Sequence, residues 1–425
     1  MRLRHKACAF IALCLAVTLG FGQEAELEDA FPGAGLKEPW LLDWGGELSA
    51  ALLFEGQALA PALAAGAGAK LWLRLSLPEQ WQLYIRARDN ASLQLYPMAD
   101  ILSSLSNRWE ISDAFLQLLV RDAPFTLAVG RKNYTLGTGL ALSGAGDGLE
   151  VELFGKAFSA KAFGYYTGLI SPEFSRYAMF LPDDALGTKR YIGSYSVSGS
   201  MKGHELSVLG LYQGYFGSRA EEYYTSWYSG LQAKGLLLGG DYLVEGYTER
   251  GYSPLGTGRG DIRAYAARAG YARSFLGALS PRLSLGYAFA SGDEDRISGQ
   301  GPAGNQAGFD EAFQSFGNVD TGLVLRLYFS NLHMASASAG ATIKKINIGL
   351  NYYYFAKHKK ESPINTADAL LPFHDLGHEL DAVLSWSPFL DLSFLLGGGL
   401  FLPGKAFSSG NELRYAASIG LSLSY

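Results

Sequence analysis

The chain has 425 residues, of which 53 are glycine, 25 tyrosine, 24 phenylalanine and 7 tryptophan, while charged residues make up 18%. A soluble domain with so few charges would hide more of its apolar residues in helical periodicity, so this composition argues against an ordinary soluble fold. The formal net charge is −5, which gives no indication of a nucleic-acid partner.

The first 22 residues predict a secretory signal peptide. Three basic residues precede an apolar run over 7–19, which is shorter than the ~20 residues that a membrane helix needs. Its removal takes away no acidic residue, so the net charge falls from −5 to −8. Both cysteines, Cys8 and Cys14, would leave with it. A lipid anchor at Cys14 would need a small residue before it, where Leu13 stands.

Beyond an acidic lead over 23–40, polar and apolar residues alternate with a period of two, which is typical of β-strands. The alternation is clear over 70–77 and over 81–96, and an Ala/Gly-rich loop precedes the first of these. The pattern predicts eighteen strands near 41–54, 70–77, 81–96, 111–121, 125–136, 147–155, 157–169, 188–202, 204–216, 223–235, 237–250, 261–275, 281–291, 330–343, 345–358, 376–387, 389–402 and 411–425.

The connections between these strands differ in length on the two rims. Tight reversals, for example at 122–124 and 344–345, alternate with long connections near 97–110, 170–187, 292–329 and 359–375. Short turns on one rim and long loops on the other are typical of outer-membrane barrels. We therefore predict an all-β transmembrane antiparallel up-and-down barrel over 41–425, with periplasmic termini and extracellular long loops. A soluble β-sandwich also has period two, but a second buried face is missing from these strands.

The last strand, near 411–425, ends on an aromatic residue and alternates strictly between apolar and small residues. At about 3.3 Å per residue and a tilt of about 40° it spans the roughly 25 Å apolar band of an outer membrane. It resembles the terminal strand of bacterial outer-membrane barrels. That resemblance implies the barrel-assembly machinery as a partner, besides the bilayer with lipopolysaccharide or an equivalent outer leaflet.

The polar faces of the strands predict a wet lumen with a basic wall. Lys70 and Arg74 lie on the second strand, and Arg86 and Arg88 on the third. Arg131 joins them if Gly130 marks a bulge that resets the alternation. Because guanidinium groups match carboxylates, this wall predicts a pathway for anionic solutes. The alternative is that it pairs across the pore with inward acids on other strands, namely Glu150, Glu152, Asp241, Glu245, Glu379 and Asp381.

Several short motifs occur together from residue 287 onward: 287–293 (YAFASGD), Phe309-Asp310, Gly317, Asp320, Asn331, Glu379-Leu380-Asp381, Phe401 and Pro403-Gly404, with Gly130-Arg131 before Tyr134 and Gly137 as an earlier match. These motifs resemble the pattern of the alginate-export family of eighteen-stranded outer-membrane porins. The resemblance implies a lumen with an arginine-lined constriction that conducts anionic polysaccharide or other small solutes. The long periplasmic segment of the alginate exporter has no counterpart here, because the short-rim connections have only a few residues.

We expect no enzyme, cofactor or metal centre. His374, Asp375, His378 and Glu379 have the spacing of a metal cluster, but such pairs need a helix to face one ion. His333 lacks a partnering Ser motif for hydrolysis. Arg259, Gly260 and Asp261 spell an integrin-like tripeptide in a predicted external loop, which keeps a surface adhesin open as an alternative.

The sequence thus predicts a passive outer-membrane channel for anionic saccharides or polysaccharide, with a general diffusion porin and an adhesin or structural barrel as alternatives. The acidic connection over 292–329 is too long for a tight turn, and connections of this length are usually functional. We expect it to fold inward as part of a constriction, so that deleting 298–308 would raise the conductance.

Overall fold

The computed structural model describes residues 40–57, 60–77, 81–96, 105–119, 124–170, 179, 187–215, 224–255, 258–277, 279–299, 301–305, 308–366, 368–408 and 412–425. The predicted signal peptide at 1–22 and all but the last residue of the lead at 23–40 lie outside these residues and stay predictions. No helix in this part of the chain is long and apolar enough to cross a membrane.

The described residues form eighteen long strands and one short bridge strand. They are β1 Leu41–Gln57, β2 Ala60–Ser76, β3 Trp81–Tyr96, β4 Leu105–Leu119, β5 Phe125–Leu136, β6 Leu142–Phe154, β7 Phe158–Tyr166, β8 Arg190–Met201, β9 His204–Tyr215, β10 Thr225–Leu237, β11 Gly240–Leu255, β12 Gly258–Ser274, β13 Arg282–Ala290, β14 Phe309–Asp310, β15 Leu332–Ile343, β16 Ile346–Lys357, β17 Asp375–Trp386, β18 Leu392–Pro403 and β19 Arg414–Ser424.

The long strands close into one antiparallel barrel. Each pairs with its sequence neighbours, and β1 completes the ring by pairing with both β2 and β19. The two-residue β14 lies beside β12 in parallel register, where β13 has already ended. Closure leaves no open sheet edge, which is the condition for a sheet to cross a bilayer. The prediction of an eighteen-stranded barrel is confirmed.

The outer wall is apolar and carries aromatic residues near both rims. Large side chains such as Leu206, Leu285 and Leu400 point outward and are exposed in the isolated chain, as a lipid-facing wall requires. Near the short turns Trp44 packs edge-to-face on Tyr425, with ring centroids 5.7 Å apart. Near the long connections Trp227 packs on Tyr252 in the same manner at 6.2 Å. These positions mark the two membrane interfaces.

Three local predictions were wrong. The Ala/Gly-rich segment is not a loop, because β2 begins at Ala60 and each of its residues through Ser76 opposes one on β1. Small side chains are compatible with a strand once the neighbours supply the hydrogen bonds. Likewise β4 begins at Leu105 rather than near 111, and the tripeptide 259–261 lies inside β12 rather than in a loop.

The β1–β19 seam gives a direct test of closure. Leu52 opposes Ile419 across it, and opposed residues have Cα atoms about 4.5–5.5 Å apart, which suits a disulfide. We expect Leu52→Cys with Ile419→Cys to crosslink in the membrane and to change the migration of the boiled, unreduced chain. Leu52→Cys with Leu423→Cys, four residues out of register, is the control. Equal crosslinking of the two pairs would contradict the closed seam.

Candidate functional site: a lumen with one filled side and one basic side

The long connection between β13 and β15 is here called the constriction loop (292–329), and its residues near 313–327 lie inside the lumen, as the sequence predicted. Its backbone is fastened to the wall by carboxylates on β17. Leu323 N–H donates to Asp381 at 3.0 Å, and the N–H groups of Val324 and Leu325 donate to Glu379 at 2.7 and 3.0 Å. These acceptors replace the ladder partners that the loop lacks.

A second attachment holds the loop to β11. Gln314 N–H donates to Glu249 at 2.9 Å, and the hydroxyls of Tyr224 and Tyr228 donate to the same carboxylate at 2.7 and 2.8 Å. Tyr228 also packs edge-to-face on Phe313, with centroids 5.6 Å apart. The loop is therefore bound to the wall at two places by buried charge-assisted hydrogen bonds.

The β5–β6 hairpin forms a second inward element that the sequence did not predict. Its tip over 137–141 reaches across the lumen to β11, where Thr138 N–H donates to Glu245 at 3.2 Å. Phe316 of the constriction loop makes two backbone hydrogen bonds to the hairpin. Phe316 N–H donates to Ala141 C=O of the tip at 2.9 Å, and Ser143 N–H of β6 donates to Phe316 C=O at 3.0 Å. The hairpin tip and the loop thus form one body inside the barrel.

Gly130 marks the place where β5 leaves the wall. Pairing of β4 with β5 ends at Ala114 and Arg131. Gly130 has a φ of 126°, and a Cβ there would lie 2.2 Å from the carbonyl oxygen of Ala114, so only glycine fits. Arg131 is 1% exposed and pairs with Asp147 at 3.1 Å. It braces the base of the hairpin, so this structure does not place it on the pathway with the other predicted cations.

The inward elements build a hydrophobic core within the lumen. Phe313 and Phe316 of the loop and Leu140 of the hairpin tip are fully buried among apolar residues of β8 to β16. Tyr134 stacks on Tyr165 with centroids 4.5 Å apart. This side of the barrel is filled. Beneath the filling, towards the short turns, a cavity of about 670 Å³ remains, lined among others by Asp241, Arg268 and Asp320.

The opposite side, formed by β1 to β4, carries the predicted basic wall. Each cation pairs with an acid on the neighbouring strand: Lys70 with Glu47 at 2.9 Å, Arg74 with Asp43, Arg86 with Asp113 at 2.5 Å, and Arg88 with Glu110. Arg108, two residues before Glu110 on β4, also pairs with Glu110, at 3.7 Å. We call Lys70, Arg74, Arg86, Arg88 and Arg108 the basic ladder.

In the basic ladder the cation is more exposed than its acid in every pair. The side-chain exposures of Lys70, Arg74, Arg86 and Arg88 are 41, 45, 41 and 46%, while their partners have 33, 28, 10 and 8%. The acids lie against the wall and the cationic groups project into the lumen. The cation is therefore the more accessible member of each pair, although the pairs are formally neutral.

The predicted opposing acids do not face this wall as free counter-charges. Glu245, Glu379 and Asp381 are each 1% exposed and hold the hairpin tip and the loop. Glu150 is buried between Lys132 and Lys161, at 2.5 and 2.8 Å. Glu152 and Asp241 are the less buried members of the predicted set. Four of the six predicted acids thus stabilise the filled side, and the ladder cations lie on the open side.

Two cations of the open side were missed from the sequence. Arg108 fell within a predicted loop, although its alternation with Glu110 and Ser106 would have placed it on a strand. Arg326 comes from the constriction loop, has a φ of 47°, and lies 3.6 Å from Glu55 on β1. No sequence pattern places it there. His378, one of the four residues with metal-like spacing, instead contacts Tyr352 at 2.8 Å on the face opposite Glu379.

Glycines on β18 let the loop approach the wall, which gives a testable prediction. A Cβ on Gly399 would lie 2.4 Å from Asp381 Oδ1 and 2.7 Å from Val324 Cγ2, whereas one on Gly398 would meet no atom within 4 Å. We expect Gly399→Val to detach the loop, at an overpacking cost of about 1–3 kcal/mol, and to increase open-channel current noise in planar bilayers. Gly398→Val is the control and should behave as wild type. Equal noise in both variants would contradict the attachment.

The extracellular end of the loop predicts a pH dependence. Burial raises the pKa of Asp293 from 3.8 to about 6, although Asp295 and Glu311 N–H groups donate to it at 3.1 and 2.7 Å. The ordered loop then binds more protons than the loosened one, so its stability falls as pH rises from about 4 to 6. We expect more current noise at pH 7.5 than at pH 5, and Asp293→Asn should remove this difference. A difference that persists in the variant would point to other groups.

Two glycines of the segment 298–308 show what its described part contacts. A Cβ on Gly299 would lie 2.4 Å from the backbone of Ile364, and one on Gly301 would lie 2.1 Å from Met179. Gly299 and Gly301 therefore lie against other extracellular connections, while the loop residues bound to β11 and β17 lie near 313–327. That deletion of 298–308 raises the conductance stays a prediction.

Solved structures with the same architecture are outer-membrane porins. OccK5 (OpdH) of Pseudomonas aeruginosa aligns at 10% identity with a TM-score of 0.57, covering 90% of this chain and 98% of that one. OccK2 (OpdF) of the same organism, solved with glucuronate, aligns at 12% and 0.57, covering 90% and 97%. OpdK of that organism, solved with vanillate, aligns at 13% and 0.55, covering 90% and 99%. At sequence identities this low, the structural alignments show that the fold is shared and nothing more.

A comparison with curated proteins gives no match. The family model described as alginate export matches residues 195–417, which is more than half of the chain. The resemblance seen in the last third of the sequence is thereby confirmed and extended towards the N-terminus. The chain belongs to the alginate export family and is an integral β-barrel channel of the outer membrane, with its long connections on the extracellular side.

Proposed function

We propose that this channel passes anionic saccharides, or short anionic polysaccharide segments, passively along the basic ladder. The observation that carries the proposal is the greater exposure of the cation in each ladder pair. Each guanidinium that a carboxylate reaches offsets part of the cost of leaving bulk water. The direction of transport follows the gradient that the cell maintains, because nothing in a passive channel stores energy.

The ligands of the structural neighbours support this class of solute. Glucuronate and vanillate, found with OccK2 and OpdK, each carry one carboxylate on a ring. Here Arg86 and Arg88 lie two residues apart on β3, which corresponds to about 6.6 Å along the strand, and Arg108 lies on the neighbouring β4. A chain of carboxylated sugars could engage several of them in turn. A small aromatic or sugar acid would engage one or two.

Two sets of variants should shift the ion selectivity of the channel in opposite directions. In a planar bilayer with a salt gradient, we expect anion preference in the wild type. Arg74→Ala, Arg86→Ala and Arg88→Ala together should lower the anion-to-cation permeability ratio at least about threefold, because local counter-ion enrichment depends on these charges. Removing the acids behind them, with Asp43→Asn, Glu110→Gln and Asp113→Asn, should raise the ratio.

Each result that contradicts the proposal points to a different alternative function. Cation preference in the wild type would assign the lumen to a general diffusion porin without sugar specificity. The absence of any conductance would favour a surface adhesin or structural barrel, although the tripeptide 259–261 lies in the extended β12. Anion preference that survives the triple Ala variant would move selectivity from the ladder to other cations.

The same proposal includes the absence of catalysis and the partners of the barrel wall. We infer no catalytic role, because the pathway groups are ion pairs and none is a nucleophile with a positioned base. The final strand β19, with its alternating outer face and terminal aromatic residue, is the expected contact for the barrel-assembly machinery. Lipopolysaccharide or an equivalent lipid is the expected neighbour of the outer wall.

A further inference from the structure

Two arginines oppose each other on the lipid-facing wall. Arg250 on β11 is in direct register with Arg263 on β12. Both lie on the outer face, because Glu249 beside Arg250 points inward to the constriction loop, and Ile262 and Ala264 beside Arg263 are buried inside the barrel. Like charges directly opposite on adjacent strands are destabilising. On a lipid-facing wall an anion between the two arginines would offset this repulsion.

The protein itself does not supply that anion within the described residues. Neither arginine has an ion pair at 4.0 Å or less there, although Asp261 lies on the same face two residues from Arg263. The two guanidinium groups are instead held by aromatic rings. Arg263 stacks on Phe309 with its Cζ 3.3 Å from the ring centroid, and Arg250 lies over Tyr265 at 5.6 Å. Stacking uses the faces of guanidinium groups and leaves their edge N–H groups for an acceptor.

The depth of the pair places it at the extracellular interface. Arg263 and Arg273 are outward residues of the same strand, ten positions apart, which corresponds to about 25 Å along the membrane normal for a tilted strand. Arg273 lies beside Phe275 near the short turns, with its Cζ 5.2 Å from the ring. Arg273 faces an uncharged partner, Leu283, on β13. Arg250 and Arg263, which oppose each other, therefore lie at the outer membrane–water interface. Arg273, which faces no second cation, lies at the inner one.

We propose that Arg250 and Arg263 form a binding site for a phosphate group of an outer-leaflet lipid. A phosphate between the two guanidinium groups can accept from both, which converts their repulsion into two charge-assisted contacts. The exposed rings of Trp227, Tyr252, Tyr265 and Phe309 around the pair would pack on the sugar and the upper acyl chains of such a lipid. At this depth the acceptor that fits two guanidinium groups is the phosphate of a lipid headgroup.

The test measures how lipid stabilises the purified barrel. Diphosphoryl lipid A, its dephosphorylated form, and inorganic phosphate are added separately to the wild type in detergent, and the midpoint temperature of heat-modifiable migration is measured. We expect diphosphoryl lipid A to raise the midpoint and the dephosphorylated lipid to raise it less. Arg250→Gln with Arg263→Gln should lose at least half of the difference between the two lipids. Arg273→Gln is the matched control and should keep the difference.

Each outcome decides the proposal. Equal stabilisation by both lipids, or an undiminished difference in the double variant, would overturn it. Stabilisation by inorganic phosphate equal to that by the lipid would show an ion site without lipid recognition and would also overturn it. If the double variant folds poorly, the single Arg263→Lys keeps the charge but not the planar fork, and should bind diphosphoryl lipid A more weakly than wild type while its midpoint without lipid is unchanged.

Discussion

Backbone hydrogen bonding where water is scarce is the constraint on which this structure depends. In the wall it requires closure, since an open strand edge cannot be solvated by lipid, and the pairing of β1 with β19 meets that requirement. Inside the lumen the constriction loop has almost no regular structure, so its N–H groups need other acceptors. Glu249, Glu379 and Asp381 provide them. Carboxylates on the strands thus accept hydrogen bonds from the backbone of the loop, as the carbonyl groups of neighbouring strands do within the wall.

This use of acids separates the charges of the lumen in space. The chain is acidic overall, and yet the open side of the channel presents cations. Glu245 and Glu249 on β11 and Glu379 and Asp381 on β17 bind the loop and the hairpin tip. The paired acids on β1 and β4 are less exposed than the cations that they pair with. Net charge therefore says little about what a solute meets, and the position of each acid relative to the filling decides it.

The strands were predictable because period two is a local property: the faces of β3 and β19 can be read directly from adjacent residues. The cations at 70, 74, 86 and 88 followed from the same alternation. The filling could not be predicted in this way, because Thr138 meets Glu245 across 107 residues and Arg326 reaches Glu55 from an irregular loop. Such contacts depend on three-dimensional closure. The glycines at 130 and 399 were visible, but the need for each arises from a neighbour distant in sequence.

On the proposed anion pathway, the pairing of each ladder cation with an acid suits conduction better than unpaired cations would. An acid such as Asp113 behind Arg86 fixes the direction of the guanidinium, so less side-chain entropy is lost when a solute binds. It also lowers the local potential, so the solute is held less tightly. Passage requires binding strong enough for entry and weak enough for release. A row of partly neutralised, oriented cations meets both requirements, whereas the fully buried pair of Arg296 with Asp310 can serve only to hold the loop in shape.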